Sequence, residues 1–228
     1  MVRAIFFDAG NTLVFPNLER MLAPLQQRGV RPTPEQLHAA ERAAKHKLDA
    51  GELRTESNSV DYNYWHTYCS QLLDSMGLRE NDLLAALIQS SRTSGNWDRV
   101  LPGTRDVLDE LRAKYRLAVI SNSDGGISDL LHSCGIGDCF ECITDSRHTG
   151  SEKPDLKIFQ AALQQVGVAP SESVHVGDVY SVDYLGARAA GMNAILFDVS
   201  GAYVNRPFPR VESLRDLAAA VAQMSSSG

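Results

Sequence analysis

The chain has 228 residues, 43% of them hydrophobic, and a formal net charge of −6. That length suits one large domain or a core carrying an inserted module, and the acidic balance argues against nucleic acid as the main partner, because phosphate backbones select a basic surface. No stretch approaches the roughly 20 apolar residues that span a bilayer, and the apolar run Ala4–Phe7 is too short for a signal peptide and ends on an acid. The expectation is a cytoplasmic protein with no membrane partner, a monomer or a homodimer.

Ala4-Ile-Phe-Phe reads as a buried strand that runs into a turn at Asp8, Gly10 and Asn11. Helices come next. Leu18–Arg28 is the first, and Pro34–Ala50 the second, with Thr33 as N-cap and Pro34 in its first turn. Val60–Met76 is a third, in which Trp65, Tyr68, Cys69, Leu72, Leu73 and Met76 recur at helical spacing; Asn81–Ser91 is a fourth. No strand is expected between Phe15 and Trp97. From Gly103 the pattern alternates. Helix Gly103–Lys114 leads to strand Leu117–Ile120, which ends at Ser121. Helix Ile127–Cys134 leads to a short strand, Cys142–Thr144. Helix Pro154–Val166 leads to strand Ser173–Val176, which ends at Gly177-Asp178. Helix Val182–Ala190 leads to strand Asn193–Phe197, and a last helix covers Leu214–Met224. Alternation of this kind gives an α/β fold, a parallel sheet with helices on both faces. The lone first strand must join that sheet. The expected division is a core of residues 1–15 and 99–228 and a helical cap of residues 16–98 over the sheet's carboxyl edge.

Three strands end in polar residues, Asp8, Ser121 and Asp178, and ligands of open α/β sheets bind outside the carboxyl ends of strands. An Asp after a strand is ordinarily a turn or cap residue; three such endings at one edge point to a site. Asp8 and Asp178 can hold a hard divalent cation, which takes oxygen ligands and keeps several waters. Asp183 is a further ligand or, more simply, an acid that suits a helix N-terminus. Lys153 can neutralise a carboxylate nucleophile and an incoming phosphoryl oxygen. The N–H groups of Gly10, Asn11 and Thr12 can form an anion nest. In the cap, the polar loop Gly51–Ser59 offers Arg54 to a second anionic group. Tyr62, Tyr64, Trp65 and Tyr68 read as packing between cap helices. Cys139 and Cys142 form a C-x-x-C near Cys134, with His148 the nearest fourth zinc ligand; reduced thiols near a strand edge are the plainer reading.

Phe6-Phe7-Asp8-Ala9-Gly10-Asn11-Thr12-Leu13 resembles the first motif of the haloacid dehalogenase-like (HAD) hydrolases. Val119-Ile120-Ser121-Asn122 resembles the second, Glu152-Lys153-Pro154-Asp155 the third, and His175-Val-Gly-Asp178 through Asp183 the fourth. Four motifs in this order are specific where each alone is weak. The resemblance implies a Rossmann-like core with a helical cap and Asp8 as a nucleophile that forms an aspartyl-phosphate. It further implies that Ser121 and Lys153 steady the phosphoryl group, and that Mg²⁺ is held by Asp8, Asp178, the Gly10 carbonyl and Asp183. Asn11, Thr12 and Asn122 are the substrate-binding candidates on the core side. The implied substrate is a small phosphorylated metabolite.

One position departs from the family pattern. Phosphatases of the family carry a second aspartate two residues after the nucleophile, as general acid and base. Here that residue is Gly10. General acid–base catalysis is typically worth about 10²–10⁴-fold. The leading expectation is a Mg²⁺-dependent phosphatase-type hydrolase in which another group, with His66 as a candidate, supplies the proton. The alternatives are a catalytically impaired ligand-binding or regulatory protein, and a dehalogenase-type or phosphonate-cleaving hydrolase. The phosphonate-cleaving branch uses a cap lysine, for which Lys45 and Lys47 are the candidates.

Overall fold

A computed structural model of the chain describes residues 1–52 and 57–226. β1 (Ala4–Phe7) is buried on both faces, as befits a central strand of a parallel sheet, where helices cover both sides. After it the described residues form α1 (Leu18–Met21), α2 (Ala23–Gln26), α3 (Pro34–Asp49), α4 (Val60–Ser75) and α5 (Asn81–Ser91). Alternation follows: α6 (Thr104–Arg112), β2 (Arg116–Ser121), α7 (Ile127–Ser133), β3 (Cys142–Asp145), α8 (Ser146–Thr149), α9 (Leu156–Val166) and β4 (Ser173–Gly177). The chain ends with α10 (Leu185–Ala189), β5 (Asn193–Phe197), β6 (Arg210–Val211) and α11 (Leu217–Ser226).

The six strands form one sheet in the order β3-β2-β1-β4-β5-β6, and every pairing is parallel. β1 has β2 on one side and β4 on the other, so the winding direction reverses at β1, which is where such sheets open a crevice for ligands. Phe7 pairs with both Val119 and Val176. That register brings Asp8, Ser121 and Asp178 out at the same edge. Alternation along β1 sorts its side chains. Ile5 and Phe7 enter the apolar cluster that holds Leu108 and Leu111 of α6 and Leu217 and Val221 of α11. Ala4 and Phe6 enter the opposite one, with Ile158, Phe159 and Ala162 of α9. The first cluster continues without a break into the helical cap, through Trp97 to Trp65, Cys69 and Leu72 of α4.

The cap joins the core at a narrow neck, where Phe15 and Arg99 exchange backbone hydrogen bonds of 2.7 and 3.1 Å. Its longest helices start as the sequence indicates. Thr33 and Gln36 close a capping box at α3, and Ser59 caps α4. No helix among the described residues is long and apolar enough to cross a membrane.

Several elements differ from the sequence expectation. Leu18–Arg28 is two short helices, because Pro24, just inside α2, has no N–H to continue the ladder from α1. Pro154 does not open a helix: the Lys153–Pro154 peptide is cis, and α9 starts at Leu156 with Asp155 accepting from the Lys157 N–H. The helix expected from Val182 begins as a π-helical turn at Tyr180–Tyr184. β6 was not expected; two residues carry no readable alternation. Arg54, and with it most of the loop expected to confer specificity, lies outside the described residues.

A Cβ on Gly186 of α10 would stand 2.8 Å from the Phe159 ring and 3.1 Å from the Pro154 backbone. Gly186→Ala is therefore expected to lose about 1–3 kcal/mol of stability through overpacking, seen as a lower urea midpoint. An unchanged midpoint would mean that α9 yields freely.

Candidate active site

Asp8 directly follows β1, and its N–H continues the ladder onto the Val176 carbonyl at 2.7 Å. The main chain is thus fixed up to the reactive group. Its Oδ1 accepts from the Lys153 ammonium at 2.6 Å, and the same nitrogen lies 2.6 Å from Oδ1 of Asp183. Asp183 is fully engaged: Oδ1 also accepts from His175 Nε2 at 3.0 Å, and Oδ2 from the Val179 N–H at 3.0 Å. Gly177 makes room for it, since a Cβ there would fall 2.3 Å from the Asp183 carboxyl carbon. Asp178 turns the other way. Its Oδ2 accepts from Lys45 of α3 at 2.9 Å and from Asn11 Nδ2 at 3.4 Å.

Asp8, Asp178 and Asp183 offer ligand atoms that all lie within 4.8 Å of one another, which is the candidate cation site among the described residues. Four carboxylates, these three and Glu41, face two ammonium groups, Lys45 and Lys153, leaving two negative charges in excess. The electrostatics register that excess. Burial pushes the Asp8 carboxyl up to about 7, with Lys153 opposing and Asp183 and Asp178 adding to the rise. Burial also raises Asp178, against Lys45. Asp183 goes the other way: burial resists its charge, but Lys153 and His175 outweigh it and hold the carboxyl well below the usual range. His175 is lowered by burial and stays neutral, donating to Asp183.

A cavity of about 130 Å³ opens above these groups. Asp8, Gly10, Asn11, Ser121, Asn122, Lys153, Asp178 and Asp183 line its core side. The cap side is Leu48, Val60, Asp61, Tyr64, Trp65 and Arg92, with Trp97 at the neck. The residues expected at the site therefore converge, with some reassigned. Asn122 spends both amide atoms on the Lys153 main chain, accepting from its N–H at 2.7 Å and donating to its carbonyl at 3.0 Å, so it positions Lys153. Thr12 is fully buried and does not line the cavity. The N–H groups of Asn11 and Thr12 are spent inside the turn, on Val14 and Ala9, and cannot cradle an anion. Asp183, whose two oxygens accept from Lys153, His175 and the Val179 N–H, braces Lys153 from within the same carboxylate cluster. Asn11 adopts φ 52°, a left-handed conformation that asparagine tolerates, which aims its amide at Asp178.

Other expectations shift as well. His66 packs at a tilt against Tyr62 and does not line the cavity. Tyr64 and Trp65 are more than packing, since they wall the cavity. Cys134, Cys139 and Cys142 are free thiols. The sequence reading did not place two residues that the structure brings to the site. Lys45 was a candidate, with Lys47, only for phosphonate-type chemistry, and its place one residue after buried Ala44 was the one hint of its burial. Asp61, half-buried and paired with Arg92 at 2.5 Å, carried no local signal. Its carboxyl is raised by burial in spite of that arginine. For phosphonate-type chemistry a cap lysine must be neutral to attack carbon. Lys45 is held charged instead, because Asp178 and Glu41 outweigh its burial.

A family model, "haloacid dehalogenase-like hydrolase", matches residues 2–191. The chain is 31% identical over 205 residues to the haloacid dehalogenase-like hydrolase domain-containing protein 3 of Xenopus laevis, covering 86% of this chain and 84% of that one. It is 34% identical over 209 residues to the glyceraldehyde 3-phosphate phosphatase of Methanothermobacter thermautotrophicus, covering 86% and 85%. In fold it is similar to the magnesium-bound HAD-hydrolase YfnB of Bacillus subtilis, with a TM-score of 0.70 at 17% identity over 96% of this chain and 97% of that one.

With its carboxyl raised from 3.8 to about 7, folded Asp8 keeps a proton that the unfolded chain has released, so its contribution to stability falls as pH rises across that window. In cation-free buffer Asp8→Asn should therefore gain on the wild type between pH 5 and pH 8, by about 2–4 °C in melting temperature for each kcal/mol in a chain of this size. A gap that does not change with pH would contradict the burial argument.

Proposed function

The chain belongs to the haloacid dehalogenase-like hydrolase family, and from that membership we propose that it is a Mg²⁺-dependent phosphatase-type enzyme acting on small phosphorylated metabolites. Residues 16–98 serve as the cap and residues 1–15 and 99–228 as the core, in a cytoplasmic monomer or homodimer. The observation that carries the reading is the Asp8 carboxylate. One oxygen is pinned by Lys153, and among the described residues the other has no partner and borders the cavity.

The donor set fits a hard divalent cation. Oδ2 of Asp8 and Oδ1 of Asp178 are the uncommitted carboxylate oxygens, Gly10 lines the same cavity with its carbonyl as a further candidate ligand, and the two excess negative charges call for a cation of that valence. When bound, Mg²⁺ would neutralise charge on the phosphoryl oxygens and hold them in line. The chain's own groups do the rest. Asp8 attacks phosphorus through its carboxylate as the bond to the leaving oxygen breaks, giving an aspartyl-phosphate. Lys153 compensates the charge on Asp8 before the attack and on the phosphoryl oxygens during it, and Ser121 donates its hydroxyl to them. Water then attacks phosphorus and frees Asp8. The small cavity and the similarity to a glyceraldehyde 3-phosphate phosphatase support a substrate of a few carbons. Carbon–halogen hydrolysis leaves the excess carboxylates without a purpose and is disfavoured.

The leaving oxygen needs a proton that Gly10 cannot give. Of the carboxyls that line the cavity, Asp61 alone stands apart from the cation cluster, on the opposite, cap wall, and burial raises it. We assign it the acid–base role. A second reading, a ligand-binding protein that turns nothing over, is favoured by Trp97, whose indole packs 3.5 Å from where a Gly10 Cβ would stand.

Phosphate release from a panel of phosphorylated metabolites tests these readings. The wild type should require Mg²⁺, and Asp8→Asn should be inactive on every substrate. If Asp8→Asn equals the wild type, the enzyme reading is wrong; if only Gly10→Asp turns over, the ligand-binding reading holds. Asp61→Asn should lose about 10²-fold on alkyl phosphates, the usual scale of general acid catalysis, while p-nitrophenyl phosphate, whose leaving group needs no proton, changes little. Equal losses on both would remove Asp61 from the proton path.

A further inference from the structure

Lys45 is the one cap side chain with an ion pair to the cation cluster among the described residues. It is 1% exposed. Its ammonium lies 2.9 Å from Oε1 of Glu41, 2.9 Å from Oδ2 of Asp178 and 3.3 Å from Oγ of Ser200. Three protons thus meet three acceptors. An ammonium so saturated has no lone pair for attack and no proton to spare, and Lys45 does not line the cavity. Whatever it does, it does through Asp178.

Its surroundings show that the contact is built. Glu41, Lys45 and Asp49 follow one another at a spacing of four along α3, on one face of the helix. Asp49 accepts from the Ser181 N–H at 2.9 Å and from the Tyr203 hydroxyl at 3.0 Å, and His46 Nε2 meets the Ala202 carbonyl at 2.9 Å. The C-terminal half of α3 is therefore docked, by polar contacts, on the loops beyond β4 and β5. The Asp178 carboxylate is divided by this arrangement: Oδ2 is turned to the cap and Oδ1 is left for a ligand.

We propose that Lys45 is a positioning residue that shares Asp178 with the divalent cation, orienting its free oxygen for turnover while holding down the affinity of the site. The inference rests on the cation reading given above. Its sign follows from charge. A fixed positive group bonded to a cation ligand repels the cation, and Glu41, which partly cancels that group, does the opposite. Removing Lys45 also releases the orientation of Asp178. Binding and turnover should then move in opposite directions, whereas a merely structural residue would weaken both.

The test is calorimetric titration of Mg²⁺ into the full chain without substrate, with turnover measured separately. Lys45→Met should bind Mg²⁺ at least about tenfold more tightly, the scale expected for a buried unit charge a few ångströms from the ion, and turn over more slowly. Glu41→Gln, whose side chain is 20% exposed, should bind more weakly and serves if Lys45→Met does not fold. Tighter binding by Lys45→Met, even where the wild type binds no Mg²⁺ at all, upholds the inference. Affinity that is unchanged or weaker in Lys45→Met, with the wild type binding, overturns the inference and leaves the cation reading standing. Absence of binding in the wild type and both variants overturns the cation reading, and the inference with it.

Discussion

One ammonium group, that of Lys153, lies 2.6 Å from each of two carboxylates, Asp8 and Asp183, in a part of the chain that water barely reaches. Charges in such a place must be paired, and removing one partner of a buried ion pair typically costs about 3–5 kcal/mol. Much of the local structure serves this requirement. Gly177 lets Asp183 close in under β4, and His175, neutral and wholly buried, satisfies its remaining lone pair. Asn122 grips the main chain of Lys153 from the end of β2, so the lysine is held between two strands that flank β1. The strand order is what permits this. With β2 and β4 both beside β1, residues more than a hundred positions apart arrive at one edge. The same triad leaves Asp8 half-compensated, which is the condition for a nucleophile: ionised in use, but with one oxygen uncommitted.

The cap meets this edge through polar groups. Glu41, Lys45 and Asp49 approach from one side, while Asp61 on the other takes Glu152 on its N–H at 3.2 Å, and Asp124 accepts from the Ser94 N–H at 3.0 Å. Contacts of this kind are satisfied when closed and can be satisfied by water when open, while the apolar cluster crosses the same junction through Trp97 and Trp65. Substrate must enter a cavity roofed by Tyr64 and Trp65, and a roof held by hydrogen bonds and ion pairs suits repeated opening and closing.

The core was legible in the sequence because it obeys period and punctuation. β1, β2, β4 and β5 are short apolar runs ending on a polar residue, and each lies where the pattern indicated. Asp8, Ser121 and Asp178 were picked out because each ends or directly follows a strand; Lys153 was picked out before a helix expected at Pro154, which starts instead at Leu156. Long-range geometry was not legible. Nothing near Asn122 tells that its amide will be consumed by Lys153, and nothing near Asp183 tells that both its oxygens will be. Lys45 and Asp61 sit in helices whose periodicity reports burial, not which strand end they will face. The π-helical turn at Tyr180–Tyr184 was hidden as well; it is stitched by the Asp183 carboxylate to the Val179 N–H.

Gly10 looks at first like a lost catalytic residue, but its surroundings argue otherwise. Its backbone is not among the left-handed glycines, so the main chain does not demand glycine there. A Cβ would meet the Trp97 ring at 3.5 Å, an ordinary contact; what lacks room is anything longer in that direction. The indole itself is fixed by a 2.8 Å hydrogen bond from Nε1 to the Ser91 carbonyl and by edge-to-face packing on Trp65. Glycine and tryptophan are thus complementary, and the space an acid would occupy next to the nucleophile has become an aromatic wall continuous with the cap. A site arranged this way has moved its proton chemistry away from the core turn, if it keeps any. Asp61, proposed above as the acid, belongs to the cap, so that chemistry and closure would be completed by the same movement.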